Sequence, residues 1–247
     1  MSDPTDRQQA DADQQYVPEA VPAREPVFNL AGVVVGIIAI CAGVHLMRMF
    51  LLSDEQNMWV ILRFAFFPAR YTGGYDLDPY AFLAPVTYSL LHGSVAHLAV
   101  NVVWLAAFGS PLANRLGTRR FIAFWIATAL GAVFLHFVLH PSDLVPLVGA
   151  SGAISGMMGA AARFAFRIDR SSGRPAFGGP VLGIGEVFRS RQAVTFLAVW
   201  MVVNVVTGLG FGTPDMESQV AWEAHIGGFL VGFLCLPLFD RRQAHTS

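Results

Sequence analysis

The chain has 247 residues, of which 54% are hydrophobic and only 13% are charged, and its formal net charge is −1. Because a soluble domain of average composition carries roughly 25% charged residues, this chain is too poor in charge to cover a water-soluble fold. Its two cysteines each lie in an apolar stretch, which excludes a disulfide-stapled secreted module, and the near-neutral charge gives no sign of a nucleic-acid partner. The composition indicates an integral membrane protein.

Residues 1–27 form a polar segment that differs from the rest of the chain. They are rich in Gln, Asp and Pro and contain no apolar run, so we expect a disordered tail. This segment lacks the basic start and apolar core of a secretory signal, and its acidic residues are atypical of a mitochondrial presequence. The sequence therefore predicts a membrane domain over 28–240, followed by a short tail over 241–247.

Apolar segments dominate the predicted membrane domain, and a helix needs about 20 mostly apolar residues to cross a bilayer. The six segments that approach this length are 30–52, 95–113, 121–140, 150–166, 193–211 and 220–238. The fourth is short and begins in a Gly/Ser run, so a loop must dip into the protein to reach it. Such a loop is tolerated only where protein or a water-filled cavity surrounds the backbone. We predict an all-α bundle of six transmembrane helices with a short central fourth helix.

The arginines are distributed unequally between the two sides of these spans. If successive spans alternate in direction, 13 arginines lie on the side of both termini and 3 on the other side. Since positively charged loops stay in the cytoplasm, both termini are predicted to be cytoplasmic. A bacterial inner membrane is the expected location, because the tail does not resemble an organelle presequence.

The first connection, residues 53–94, is too long and too apolar for a simple loop. Amphipathic, aromatic-rich segments of this kind lie in the membrane interface. Within it, residues 68–74 have the Pro and Gly content of a turn. We interpret the connection as an interfacial lid or brace without a chemical role.

Three polar clusters lie in or beside the spans, where ionisable groups are expensive and usually functional. His92, His97 and Asn101 are at the entry of the second span, and the last two lie four residues apart on one helix face. Ser151 lies in a Gly-Ala-Ser-Gly sequence at the start of the fourth span, and His225 lies in the first turns of the sixth. In the predicted orientation, all three clusters are on the non-cytoplasmic side.

These residue types are suited to acyl transfer. A serine becomes a nucleophile when a base takes its proton, and histidine is the usual base, so Ser151 and His225 are the candidate dyad. Acyl transfer also needs donors directed at the developing oxyanion, for which the candidates are the Ser151 amide, His97 and Asn101. Ser155 is a rival nucleophile one turn deeper, but it lacks the glycine two residues before it.

Small residues on two spans indicate a close helix pair. Gly152 and Gly156 are four residues apart on the fourth span, and Gly228 and Gly232 have the same spacing on the sixth. Small residues at this spacing let two helices approach closely. The approach would bring the candidate serine and histidine within hydrogen-bond reach.

The sequence offers no clear acidic third member for a triad. Glu223 is two residues from His225, and residues two apart on a helix point in different directions, so we interpret Glu223 as an interfacial charge. We interpret His136 and His140, at the end of the third span, as interfacial rather than metal-binding. Asn204 in the fifth span is interpreted as a helix–helix hydrogen bond rather than a catalytic group.

The order of the motifs and their positions in the spans resemble the rhomboid intramembrane serine proteases. The matching residues are His92, His97, Asn101, Gly149, Ser151, Gly152, His225, Gly228 and Gly232. The resemblance covers about 28–240 and implies a helical bundle around a cavity open to the non-cytoplasmic side. It implies that Ser151 is the nucleophile, that His225 acts as general base and then acid, and that His97 and Asn101 complete the oxyanion hole.

The same resemblance implies that the substrates are single-pass transmembrane proteins, cut near the membrane surface next to small residues. The bilayer is the surrounding partner, and neither a metal nor another cofactor is expected. Two positions depart from the family pattern. Ser155 stands where some members have an aromatic residue that packs on the catalytic histidine, and Asn114 replaces the glutamate of a Glu-x-x-Gly pattern that ends here at Gly117.

Two other functions are compatible with parts of the sequence. A non-proteolytic rhomboid relative would bind membrane clients, but such proteins typically lack the serine or the histidine. A small transporter or metal channel built on His92, His97 and His225 would need acidic partners along a pore, and the spans have almost none. The natural substrate and the oligomeric state stay open.

Overall fold

The computed structural model describes residues 30–75, 77–166, 179–209 and 221–240. The predicted tails at 1–27 and 241–247 lie outside the described residues, so their disorder stays a prediction. Within the described ranges, the regular structure is helical apart from an isolated bridge between Phe66 and Leu147. The predicted all-α membrane bundle is confirmed.

Nine helices are found in the described part of the chain, and five of them are long and apolar enough to cross a bilayer. These five are α1 (Gly32–Phe50), α4 (Val95–Leu116), α5 (Thr118–Leu139), α8 (Arg191–Gly208) and α9 (Trp222–Phe239). The shorter helices are α2 (Asp54–Phe64), α3 (Pro79–Thr87), α6 (Ser151–Phe164) and α7 (Ile184–Arg189).

Helix α6 corresponds to the predicted fourth span and lies at the centre of the bundle. It has 14 residues, and every residue after Ser151 is buried. Because neighbouring helices surround it, α6 can be shorter than the bilayer is thick and can begin below the surface. The prediction of a short central fourth helix is confirmed.

Glycines bring α6 and α9 into backbone contact. A Cβ atom added to Gly228 would overlap the carbonyl oxygen of Gly152, and one added to Gly232 would overlap the carbonyl oxygen of Gly156. Gly227 meets the backbone of α5 in the same way. The spacing of the small residues therefore predicted the helix pair correctly, because any side chain at these positions would force the helices apart.

At the end of the bundle opposite Ser151, two buried arginines join the helix ends. Arg115 donates to Asp240 Oδ2 through Nε at 2.8 Å and Nη2 at 2.5 Å. Arg163 donates to the carbonyl oxygens of Leu182 and Phe233, each at 2.6 Å. Both arginines contributed to the predicted orientation, and the structure shows that they also hold α4, α6 and α9 together at this end.

The outermost long helices present apolar side chains to the surroundings. Of the most apolar 18-residue stretch of each helix, only 17% is buried in α1 and 11% in α8. Exposed apolar faces of this extent are expected of helices that contact lipid. The two buried residues of α8 are Ala193 and Asn204.

The first connection is a brace for the loop that leads into α6. It consists of α2, a short 3₁₀ turn over Pro68–Tyr71, and α3. Phe66 and Leu147 exchange backbone hydrogen bonds at 3.2 and 2.8 Å, and the Ala69 amide donates to the Asp143 carbonyl at 3.0 Å. These contacts support the interpretation of this segment as a brace.

Candidate functional site

Ser151 and His225 meet where α6 and α9 begin. Ser151 is the first residue of α6, and His225 lies in the first turn of α9. His225 Nε2 lies 2.8 Å from Ser151 Oγ, which is hydrogen-bond distance. Gly152 and Gly228, one to three residues away, allow this approach. Ser155 is buried one turn deeper, and His225 is bonded to Ser151 rather than to it.

Asn204 is a third member of this group, on the outer helix α8. Its Oδ1 lies 2.6 Å from His225 Nδ1, while its Nδ2 donates to the Trp222 carbonyl at 3.1 Å. The carbonyl partner identifies Nδ2 as the amide nitrogen, because a carbonyl can only accept a hydrogen bond. Oδ1 therefore accepts from Nδ1–H of His225. In this tautomer Nε2 has a free lone pair, as a base for Ser151 requires.

The sequence interpretation of Asn204 was correct but incomplete. It is a helix–helix hydrogen bond, as expected, and its partner is the candidate catalytic histidine. In the sequence, the sign that Asn204 has a specific partner was its amide side chain within an otherwise apolar span. Hydropathy cannot say toward which neighbour a residue of α8 is turned, so the partner was beyond sequence analysis.

Gly149 shapes the loop on the other side of Ser151. Its φ of +121° is in the region that side chains strongly disfavour. A Cβ atom at Gly149 would also lie 2.7 Å from two atoms of the His97 ring. The glycine therefore allows the turn into α6 and lets the His97 ring approach it closely.

Asn101 and His92 lie near Ala150, the residue before Ser151. Asn101 is buried and donates through Nδ2 to its own helix at His97 O, at 2.8 Å, which leaves a second amide hydrogen. The buried His92 ring packs edge-on against His97 with 5.2 Å between ring centroids. Burial lowers the pKa of His92 to about 3, so this side chain is neutral.

The interpretation of Glu223 and His136 as interfacial stays a prediction, and it did not anticipate that the two side chains are buried against each other. Glu223 is only 5% exposed, and His136 Nδ1 lies 2.7 Å from its Oε1. His140 Nε2 lies 3.3 Å from the same oxygen, and the His140 side chain is half exposed. The carboxylate of Glu223 therefore turns toward α5. Two buried polar side chains on different helices can satisfy each other, which hydropathy alone does not reveal.

Comparison with known proteins agrees with this architecture. The Rhomboid domain family model matches residues 81–242. This match covers more than half of the chain, and the chain belongs to the rhomboid family. Together with the five apolar helices, family membership makes it an integral membrane protein.

Several curated relatives carry protease names. The chain is 30% identical to Rhomboid protease GluP of Bacillus subtilis over 148 residues, which is 60% of this chain and 24% of that protein. It is 28% identical to the Putative rhomboid protease YdcA of the same species, over 64% of this chain and 69% of that protein. Rhomboid protease GlpG of Enterobacter sp. is 26% identical over 72% of this chain and 53% of its own length. The chain thus spans only part of the relatives it matches.

Proposed function

We propose that this protein is an intramembrane serine endopeptidase that cleaves single-pass transmembrane proteins. The observation that carries the proposal is the 2.8 Å hydrogen bond between Ser151 Oγ and His225 Nε2. Membership of a family whose curated relatives include proteases supports the same reaction class. The fold alone would not suffice, since function depends on the site rather than on the architecture.

In the proposed reaction, Ser151 is the nucleophile and His225 transfers the protons. His225 Nε2 takes the proton as Ser151 Oγ attacks the peptide carbonyl carbon, and a tetrahedral intermediate forms. When the C–N bond breaks, Nε2 gives that proton to the leaving amine and an acyl-enzyme remains. Water, activated by His225, then hydrolyses the ester and releases the acid. Asn204 is a positioning residue that keeps the proton on Nδ1 throughout.

Three donors are available to the oxyanion of the intermediate. The Ser151 amide lies at the start of α6, where the helix dipole favours negative charge. The side chains of His97 and Asn101 come from α4, and the His97 ring lies beside Gly149. A preorganised donor of this kind is typically worth about 3 kcal/mol in the transition state.

The location of the site suggests where cleavage occurs. Ser151, His225 and His97 each lie in the first turn of their helix, so they share one end of the bundle. The arginine distribution supports a non-cytoplasmic position for this end, and we propose that both termini lie in the cytoplasm of a bacterium. Substrates would be cut near that membrane face, next to small residues at which a helix unwinds easily.

A non-proteolytic rhomboid-like protein that binds membrane clients is the second candidate. Such a protein needs neither a hydrogen-bonded serine nor a histidine with a defined tautomer. The Asn204–His225–Ser151 chain of hydrogen bonds therefore favours the protease.

One experiment separates these two candidates. The purified protein is incubated with a fluorophosphonate probe and, separately, with a model single-pass substrate, alongside Ser151→Ala and the matched control Ser155→Ala. We expect the parent and Ser155→Ala to be labelled and to cleave, and Ser151→Ala to do neither. Equal cleavage by Ser151→Ala and the parent would exclude Ser151 as nucleophile, and no labelling or cleavage by the folded parent would favour the client-binding protein.

A further inference from the structure

A second cluster of polar side chains, outside the proposed protease site, lies at the same end of the bundle as Ser151. His136 and His140 close α5, and Glu223 lies in the first turn of α9. One candidate ligand atom from each residue lies within 4.8 Å of the other two. The proposed cleavage of peptide bonds uses none of these three residues.

We propose that His136, His140 and Glu223 form a binding site for a divalent transition-metal ion, with Zn²⁺ as the best-suited ion. Two imidazoles and one carboxylate are a donor set that Zn²⁺ binds well, and a fourth position would be left to water. His136 lies in the last turn of α5 and His140 directly follows the helix, and a ring nitrogen of each lies near the same oxygen, Glu223 Oε1. Glu223 faces them from the neighbouring helix.

The distances between the ligand atoms are close to those that zinc requires. Ligands about 2.0–2.1 Å from a tetrahedral zinc ion lie about 3.3 Å from one another. His140 Nε2 and Glu223 Oε1 are 3.3 Å apart, whereas His136 Nδ1 and the same oxygen are 2.7 Å apart. The second pair has to separate by about half an ångström, and the two imidazole nitrogens already lie within 4.8 Å of each other, so small side-chain rotations can supply the adjustment.

Burial divides the cluster into an inner and an outer part. The side chains of His136 and Glu223 are 7% and 6% exposed, while that of His140 is 49% exposed. An ion can therefore enter beside His140 and be held by two side chains that neighbouring helices keep in place. The bound ion would link the end of α5 to the first turn of α9, two residues before His225. This site does not depend on the proposed protease activity.

The proposal is tested by zinc binding to the full chain. Protein without a histidine tag is purified in detergent, stripped with a chelator and titrated with Zn²⁺ by calorimetry. We expect one ion per chain. The affinity for Zn²⁺ should fall at least about tenfold in His140→Ala and in Glu223→Gln, because losing even a residue that only hydrogen-bonds to a metal ligand lowers metal affinity by that much. His245→Ala, which removes a histidine that is not one of the three proposed ligands, should bind like the parent, and Mg²⁺ should not bind.

Thermal unfolding provides a second measurement and checks that the variants fold. Without metal, His140→Ala should unfold at the temperature of the parent, because its side chain is half exposed. Saturating Zn²⁺ should raise the unfolding temperature of the parent but not that of His140→Ala. If the parent binds no zinc, or if His140→Ala and Glu223→Gln bind it as tightly as the parent, the cluster is a hydrogen-bonded link between α5 and α9 and the proposal is wrong.

Discussion

Asn204 on the outer helix α8 is hydrogen-bonded to His225 of the candidate site. Asn204 Oδ1 accepts a 2.6 Å hydrogen bond from His225 Nδ1, and the amide is oriented by its second bond to the Trp222 carbonyl. Asn204 is one of the two buried residues of α8. The dyad that the sequence suggested is therefore a Ser–His–Asn arrangement, with the third member on a separate helix.

Removing this bond should impair catalysis through His225. We expect Asn204→Leu to lower kcat/KM about 10- to 100-fold, because a hydrogen bond in a buried site is worth about 1–3 kcal/mol. Asn204→Asp keeps an acceptor at this position and should restore most of the rate. The measurement is the rate of cleavage of a model single-pass substrate as a function of pH.

The pH profile distinguishes positioning from a purely structural role. A negative charge at residue 204 favours protonated His225, so the acidic limb of the profile should move to higher pH in Asn204→Asp. Unchanged profiles in both variants, with rates that follow only the amount of folded protein, would mean that Asn204 merely packs α8 against α9.

Asn101 should contribute to the transition state rather than to substrate binding. Loss of one oxyanion donor typically lowers kcat about 100- to 1000-fold, and KM should change little. We expect this for Asn101→Ala and not for Asn114→Ala, an exposed asparagine at the other end of α4. Steady-state kinetics on a model substrate provide the measurement. A rise in KM at constant kcat would instead place Asn101 in substrate binding.

The contact between α6 and α9 should tolerate no added side chain. Gly232→Ala places a methyl group against the Gly156 carbonyl, and overpacking of this kind costs about 1–3 kcal/mol or more. Gly36→Ala is the matched control, because a Cβ at this helical glycine of α1 meets nothing within 4 Å. Thermal unfolding in detergent should show a marked loss for the first variant and none for the second. Equal unfolding temperatures would contradict the close helix pair.

The buried Arg115–Asp240 pair should matter more for folding than an exposed arginine nearby. Arg115→Ala leaves the Asp240 carboxylate buried without this partner, and breaking such a pair costs about 3–5 kcal/mol. Arg119→Ala, on the exposed start of α5, should change the stability by less than about 0.5 kcal/mol. Chemical unfolding of both variants measures the difference. Similar losses in the two variants would show that the ion pair contributes little.

The sequence by itself determined the class of fold and the candidate pair Ser151 and His225. A span must satisfy its backbone hydrogen bonds internally, so hydropathy reveals helices directly, and their low charge makes each polar residue conspicuous. The spacing of Gly152, Gly156, Gly228 and Gly232 likewise predicted a contact, because small residues four apart lie on one helix face.

Only the tertiary structure decided which polar residues meet. Asn204 was interpreted as a helix–helix hydrogen bond but not as the partner of His225, and the pairing of Glu223 with His136 was not predicted. Both depend on how far α8 and α9 are rotated and shifted against their neighbours. Hydropathy fixes the length of a membrane helix but not this rotation, which is set by side-chain packing between helices distant in the sequence.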